Sequence, residues 1–484
     1  MEQNVQAQQR PFKLNYKRTC LIGFAFFGIL LLWQVYDTWC PPFLTDIFAR
    51  NIYGLTAGQL NETVNEAKRL EVQWLVGIIM ACDNLAALIL LPIFGHLSDK
   101  AKTPIGKRMP FILIGTFVSA IAFPFIPLFF HLNNIAGMVI MMAIILMFMM
   151  MYRNPAVSLM PDMTPKPLRA KANGIINIMG YFGGAFAAVL SIILGFSKYI
   201  LLDDTGRASK FWTIEIPFIV ASVLMVVSAM VLFFTVKENK IAEEVREEME
   251  RGEQLAEIEN PVEDDKPLSK ANKIMLWGIL IAEFLWFMSD NALSTYLSNY
   301  VVYHMHAESG TAGILTIAGG VASVAGFAIA GFIADKIGRK WTITAGLGLT
   351  LVALIIMIFV FPGTRNEETG IAPLPVLLYV VWVIKGFGMA LVHNCSFPMV
   401  VELATGKTIG KFTSFYYTAS MSAQTITPVL LGLIFKITLA WQALPIYAAS
   451  LTLLSGVVFA LIVKNVKAKK NGNVKGLEAL GADD

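Results

Sequence analysis

Four ionisable residues, Asp37, Asp83, Asp290 and Lys385, interrupt otherwise apolar stretches of this chain. A charge at the centre of a membrane helix costs about 2.5–3.5 kcal/mol on insertion scales, so such residues face a partner or a water-filled cavity. Lys385 lies about 12 residues below the outer start of its apolar run and Asp290 about 13 below the outer end of its own, roughly 18 Å deep at 1.5 Å per residue. The two are expected to pair. Asp37 and Asp83 also share a depth, and two carboxylates held close together can share one proton. These four are the candidates for proton coupling. Each also fits a fixed bond, as a static internal salt bridge or as a hydrogen-bonded carboxylate. Glu283, nearer the inner end of its run, is the weaker candidate. Around them lie Trp33, Gln34, Tyr36, Trp286, Asn291 and Asn394, with Arg153 and His393 nearer the cytoplasm. Aromatic faces and planar amides suit a polyhydroxylated substrate, although aromatics in membrane helices also serve as packing or interfacial anchors. Arg153 and His393 suit either substrate or an inner gate.

The elements that must position these residues follow from composition. Of 484 residues, 56% are hydrophobic and 15% charged. This is a membrane chain. Twelve apolar runs are visible: 20–48, 71–96, 109–131, 135–161, 172–200, 211–236, 272–303, 310–335, 341–362, 372–403, 410–438 and 440–464. Runs of this length exceed a barrel strand, so they are helices, and the fold expected is an all-α membrane protein of two pseudo-symmetric six-helix bundles. The first run has no small-residue cleavage site and is expected to be span 1 rather than a signal peptide. Lys and Arg concentrate in alternate connections, such as Lys100 to Arg108, Lys166 to Lys171 and Lys336 to Lys340, which places both termini in the cytoplasm. The divisions are a cytoplasmic tail 1–18, a first bundle 19–236, a linker 237–271, a second bundle 272–464 and a cytoplasmic tail 465–484. The Glu- and Lys-rich linker reads as a solvated helix.

The two halves repeat. Gly95, Asp99, Lys100, Gly106 and Arg108 follow span 2 as Gly331, Asp335, Lys336, Gly338 and Arg339 follow span 8. Asn154 precedes Asp162 by the same interval as Asn394 precedes Glu402, and Trp33 and Asp37 match Trp286 and Asp290. Parallel repeats about an axis along the membrane normal are a secondary-transporter architecture, with the substrate held between halves. The motif loops, with Asp162, Arg169 and Glu402, are the candidate inner gate: the glycines permit close helix approach and the charges meet at the inner mouth.

The doubled loop resembles the signature of the major facilitator superfamily over nearly the whole chain. More narrowly, Ser98-Asp99, Gly106-Lys107-Arg108, Pro110-Phe111-Ile112, Arg153-Asn154-Pro155, Asp162, Arg169 and Ala172-Asn173 resemble the sucrose transporters, which are similar to the glycoside-pentoside-hexuronide cation symporters. The resemblance implies cation-coupled uptake of a glycoside, most simply a disaccharide, across the plasma membrane, with spans 1, 4, 7 and 10 lining the cavity. In the melibiose-type sodium symporters two aspartates precede a Pro-x-x-Gly in span 2. Here the element is Pro92 to Gly95, and the matching positions are Ala87 and Leu91. A hard cation wants several oxygen ligands, so a proton is favoured over sodium, with a displaced sodium site at Asp83 as the alternative.

The remaining readings are an efflux antiporter for an amphipathic compound and a non-transporting sugar sensor. The +4 net charge, spread over many short segments, excludes a nucleic-acid patch. Cys20, Cys40, Cys82 and Cys395 form no Cys-x-x-Cys pair, and His304, His306 and Glu308 read as polar surface, so no cofactor or metal is expected. No nucleophile elbow or phosphate loop points to an enzyme. The expected partners are the sugar, the coupling cation and the bilayer, with the chain acting as a monomer.

Overall fold

The computed structural model describes residues 12–193, 211–259, 269–308, 310–366, 371–403 and 409–464. Among them, twelve helices are long and apolar enough to cross a bilayer. Spans 1 to 6 are Tyr16–Tyr53, Glu66–Lys100, Met109–His131, Ile135–Asp162, Lys171–Ile193 and Ile214–Thr235. Spans 7 to 12 are Lys270–His304, Gly310–Ile337, Arg339–Ile358, Val376–Val401, Lys411–Thr438 and Ala443–Ile462. They form two helical bundles, and outer and inner below denote the sides assigned by the basic residues.

Helices outrun their apolar stretches. Span 1 was expected to end near Phe48 but continues to Tyr53, where Gly54 at φ 65° caps it by returning its N–H to Arg50 O. Hydropathy reports contact with lipid, whereas a helix continues until its last carbonyls find other donors. Ile89, Ile121, Val189, Phe234, Phe332 and Leu461 are exposed on the protein surface because their solvent is hydrocarbon. Inside the second bundle, a Cβ on Gly386 of span 10 would stand 2.2 Å from Gly319 O of span 8. Small residues permit that approach, and dispersion then holds helices that gain no hydrophobic drive from leaving lipid.

The sequence repeat has a backbone counterpart. Gly106 before span 3 and Gly338 before span 9 both have positive φ, at 117° and 87°.

The linker departs from expectation. Its helix, Glu238–Glu259, is docked rather than solvated on all sides. The Glu238 carboxylate accepts from the backbone N–H of Lys107 at 2.9 Å and of Arg108 and Met109 at 3.1 Å. This is a side-chain anion on the exposed amides that begin span 3. Burial, opposed by those three bonds, leaves the Glu238 carboxyl above its ordinary pKa. Asn239 donates to Thr103 O and Pro104 O, Val245 is buried, and Gly252 lies against Pro165 and Pro167. Glu243, Glu244, Glu247 and Glu248 stay exposed. A helix with one apolar stripe and a capping carboxylate straps the inner loops of the first half together.

Gly106→Ala tests that strap. A Cβ there would stand 2.1 Å from a Glu238 carboxylate oxygen, in a positive-φ position. Strain of this type costs about 1–3 kcal/mol, so the thermal midpoint is expected to fall. Gly54→Ala, at φ 65° with nothing within 4 Å, is the strain-only control; equal losses in both would contradict the docking role.

Candidate functional site

Two chambers meet between the halves. The first, of about 290 Å³, is lined by Trp33, Asp37, Asp83, Asn84, Arg153 and Asn291 among others. The second, of about 360 Å³, includes Gln34, Asp37, Asp290, Thr316, Lys385 and His393. Asp37 and Ser294 belong to both. Lys385 Nζ and Asp290 Oδ1 form an ion pair whose side chains are 14% and 28% exposed. A charge pair so placed is held by its partner rather than by bulk water, and a polar ligand in the chamber reaches both members. The Tyr36 hydroxyl donates to Asp83 Oδ1 at 3.2 Å. Trp33 packs edge-on against Tyr36 with centroids 5.4 Å apart, and its indole N–H has no hydrogen-bond partner among the described residues.

Three expected lining residues do not line these chambers. Trp286 is fully buried against Phe459 of span 12, with ring centroids 6.3 Å apart, although it precedes Asp290 as Trp33 precedes Asp37. Spacing selects a turn of the helix, but the neighbour that covers that turn is a tertiary choice. Tyr36 is fully buried and is spent on Asp83. Asn394 lines neither chamber, whereas its neighbour His393 does.

The inner loop of the first half bonds within that half. Arg108 pairs with Asp99, its Nε donates to Asp162 Oδ2 at 2.9 Å, and its Nη1 to Ser98 Oγ at 2.5 Å. Lys107 Nζ adds a second ion pair to Asp162 at 3.0 Å. Arg169 donates to Thr164 O and Pro161 O. Gly95 lies against Asn154, whose amide donates to Leu91 O. Lys100, Asp335 and Lys336 are exposed and Arg339 is half-buried. Lys340 Nζ donates to Ala460 O at 2.7 Å. The expected close approach at Gly331 is not made: nothing lies within 4 Å of an added Cβ there. The side chain of Glu402 lies outside the described ones.

Among the described residues, the bonds that join the halves lie toward the outer end, in layers that the sequence reading passed over. At the surface Arg365 of the second half reaches Glu66 of the first at 3.4 Å and also meets His306. Burial, then Arg365, holds the His306 imidazole down at about 4, so at neutral pH it is an uncharged partner. Below, Arg69 Nε is paired with Asp46 at 3.0 Å, both buried, and the Tyr303 hydroxyl from span 7 donates to Asp46 Oδ1 at 2.9 Å. The Arg69 guanidinium lies over the Tyr303 ring, 4.6 Å from its centroid. One turn deeper, Asn299 Nδ2 donates to Thr45 Oγ1 and to Gln73 Oε1, each at 3.0 Å. The last turn of span 7, Tyr300–His304, is π-helical, the kind of local rewinding found at functional sites. Deeper still, Ser298 Oγ reaches Asp37 O and Asn84 Nδ2 reaches Gln424 O. The available sequence signal was polar residues inside apolar runs. Their types do not reveal that they meet across a seam.

Comparison with known proteins agrees with this architecture. The chain is 24% identical over 363 residues to the fosmidomycin resistance protein of Escherichia coli (strain K12), covering 74% of this chain and 77% of that one. Among solved structures, a bacterial homologue of the iron transporter ferroportin in an inward-facing state aligns with TM-score 0.60 at 13% identity, covering 93% and 99% of the two chains. A bacterial homologue of the human lysosomal transporter Spinster, inward-facing and occupied, aligns with TM-score 0.60 at 11% identity over 93% and 97%. A nucleoside transporter aligns with TM-score 0.58 at 11% identity over 92% and 100%. At these identities the likeness is one of fold. With residues 21–408 matching the family described as MFS/sugar transport protein, the chain belongs to that family of multi-pass membrane transporters and is not an enzyme.

Proposed function

We propose that this protein couples the entry of a proton to the uptake of a glycoside of disaccharide size, by alternating access in the plasma membrane, with both termini cytoplasmic and the monomer as the working unit. The observation that carries this reading is the divided cavity, with Asp37 common to a chamber holding Asp83 and Arg153 and a chamber holding the Lys385–Asp290 pair. Cargo and coupling ion then meet on one set of charges that line the cavity. Trp33, Gln34, Asn291, Arg153 and His393 supply an aromatic wall and polar groups for hydroxyls. Ala87, where the sodium symporters of the resembling group carry an aspartate, lines the first chamber and adds no oxygen ligand, which favours a proton. One charge moving through 100 mV delivers about 2.3 kcal/mol, enough for roughly 50-fold accumulation of a neutral sugar.

The outer layers of bonds are the closed outer gate of this cycle. Arg108, Asp99 and Asp162 keep the first-half loop in shape for the opposite closure. The relationship to the fosmidomycin resistance protein favours a second reading, export of a small molecule in exchange for the cation.

Labelled disaccharide is expected to accumulate in proteoliposomes under an inward proton gradient; a gradient that drives only extrusion selects the second reading, and a response to sodium but not to pH displaces the proton. Asp290→Asn leaves Lys385 in the chamber without its counter-charge, so it should abolish accumulation while the protein still inserts. Undiminished uptake would make the pair a fixed strut. Asp37→Asn and Asp83→Asn should each change the pH profile of uptake, and an unchanged profile in both removes them from coupling. Tyr303→Phe leaves Asp46 one donor short, about 1–3 kcal/mol, and should raise labelling, by impermeant reagents, of a cysteine introduced at the outer end of span 7.

A further inference from the structure

Two of the bonds that cross the seam share an origin in the helices they join. In an α-helix the carbonyl of residue i accepts from the N–H of residue i+4, and a proline at i+4 has no N–H to give. In span 11, Pro428 leaves Gln424 O without its helical donor. Asn84 Nδ2 of span 2 donates to that oxygen at 3.1 Å. In span 1, Pro41 leaves Asp37 O in the same condition. Ser298 Oγ of span 7 donates to it at 3.0 Å. The arrangement is reciprocal: the first half supplies the donor in one case and the proline in the other.

Both bonds also adjoin the chamber carboxylates. Asn84 follows Asp83 directly in sequence, and the acceptor in the second bond is the main-chain carbonyl of Asp37 itself. Asn84 and Asp83 line the same chamber. At the span 2 and span 11 crossing the backbones are close enough that a Cβ on Gly77 would stand 2.1 Å from Pro428 O.

We propose that the carbonyls freed by Pro428 and Pro41 are sockets of the outer gate, filled by Asn84 and Ser298 when that side is shut and emptied to water when it opens, and that they tie the Asp37 and Asp83 positions to the seam. This deepens the alternating-access reading and rests on it. In the shut seam the side chain from the other half takes the place that water takes in the open one, so each cross-seam bond exists only in the shut state and losing its donor removes a bond that favours that state. In the open seam water replaces it without penalty. The bond therefore favours one state over the other, as a conformational switch requires. Asn84 and Ser298 act here as positioning residues, through the backbone beside the carboxylates.

A double-mutant cycle separates this role from ordinary packing. In a background without Cys20, Cys40, Cys82 and Cys395, a Val301→Cys reporter at the buried outer end of span 7 is labelled with an impermeant maleimide, with no cargo present. Asn84→Ala should accelerate labelling on the order of ten-fold. Pro428→Ala restores an N–H to Gln424 O, so in that background Asn84→Ala should change labelling by less than about two-fold, a coupling that additive packing losses do not give. Equal acceleration in both backgrounds overturns the proposal. Ser298→Ala with Pro41→Ala forms the second cycle, to be judged alike should an Asn84 variant fail to fold. Disaccharide accumulation by the parent protein is measured alongside: a cycle that holds without accumulation refutes the cargo assignment alone, and accumulation without the cycle refutes the sockets alone.

Discussion

The absence of water from the bilayer core governs this structure. A polar or charged group there has only other protein groups to satisfy it, or a cavity that the protein encloses. Asp37, Asp83, Arg153, Asp290 and Lys385 accordingly gather at the boundary between the two bundles, while the lipid-facing surfaces carry Ile, Val, Leu and Phe. The boundary between the halves thus brings cavities and charged groups together. A transporter needs that combination, because a seam held by hydrogen bonds can exchange its partners for water, whereas a seam held by interlocked apolar side chains has no such substitute.

The outer and inner ends use the same chemistry differently. At the outer end the partners come from opposite halves: Tyr303 on Asp46, Asn299 on Thr45 and Gln73, Arg365 on Glu66. At the inner end of the first half, Arg108, Lys107, Asp99 and Asp162 satisfy one another, and the linker carboxylate of Glu238 satisfies the amides beneath them. The outer network is therefore conditional on the relation between bundles, and the inner one is a property of a single bundle. Proline sharpens this contrast. By withholding an N–H in spans 1 and 11 it turns a backbone carbonyl, normally spent inside its own helix, into an acceptor available to the other half.

Much of the architecture was legible in the chain. Apolar run length gave twelve helices because a bilayer has one thickness, and the doubled loop motif gave two bundles because a duplicated sequence folds alike. The similar depth of Asp290 and Lys385 gave an ion pair because the rise of a helix is fixed. Trp286 shows where that reasoning stops: the same four-residue spacing that puts Trp33 at the chamber puts Trp286 against Phe459 of span 12, a neighbour that no local spacing selects. Gly331 shows it again, open where Gly95 is packed on Asn154. Glu238 was hidden in a charge-rich linker, where one carboxylate among many carries no sequence mark of the three amides it binds.

The sequence alone thus determined how many helices there are, how deep each buried charge lies and that the halves are copies, since these depend on local properties: hydropathy, rise per residue and repetition. Only the tertiary structure decided which polar group meets which, which end of the seam is shut and which carbonyl a proline leaves for a neighbour. Such pairings depend on the rotation and approach of helices far apart in the chain, and those are set by packing across the whole bundle rather than by any one segment.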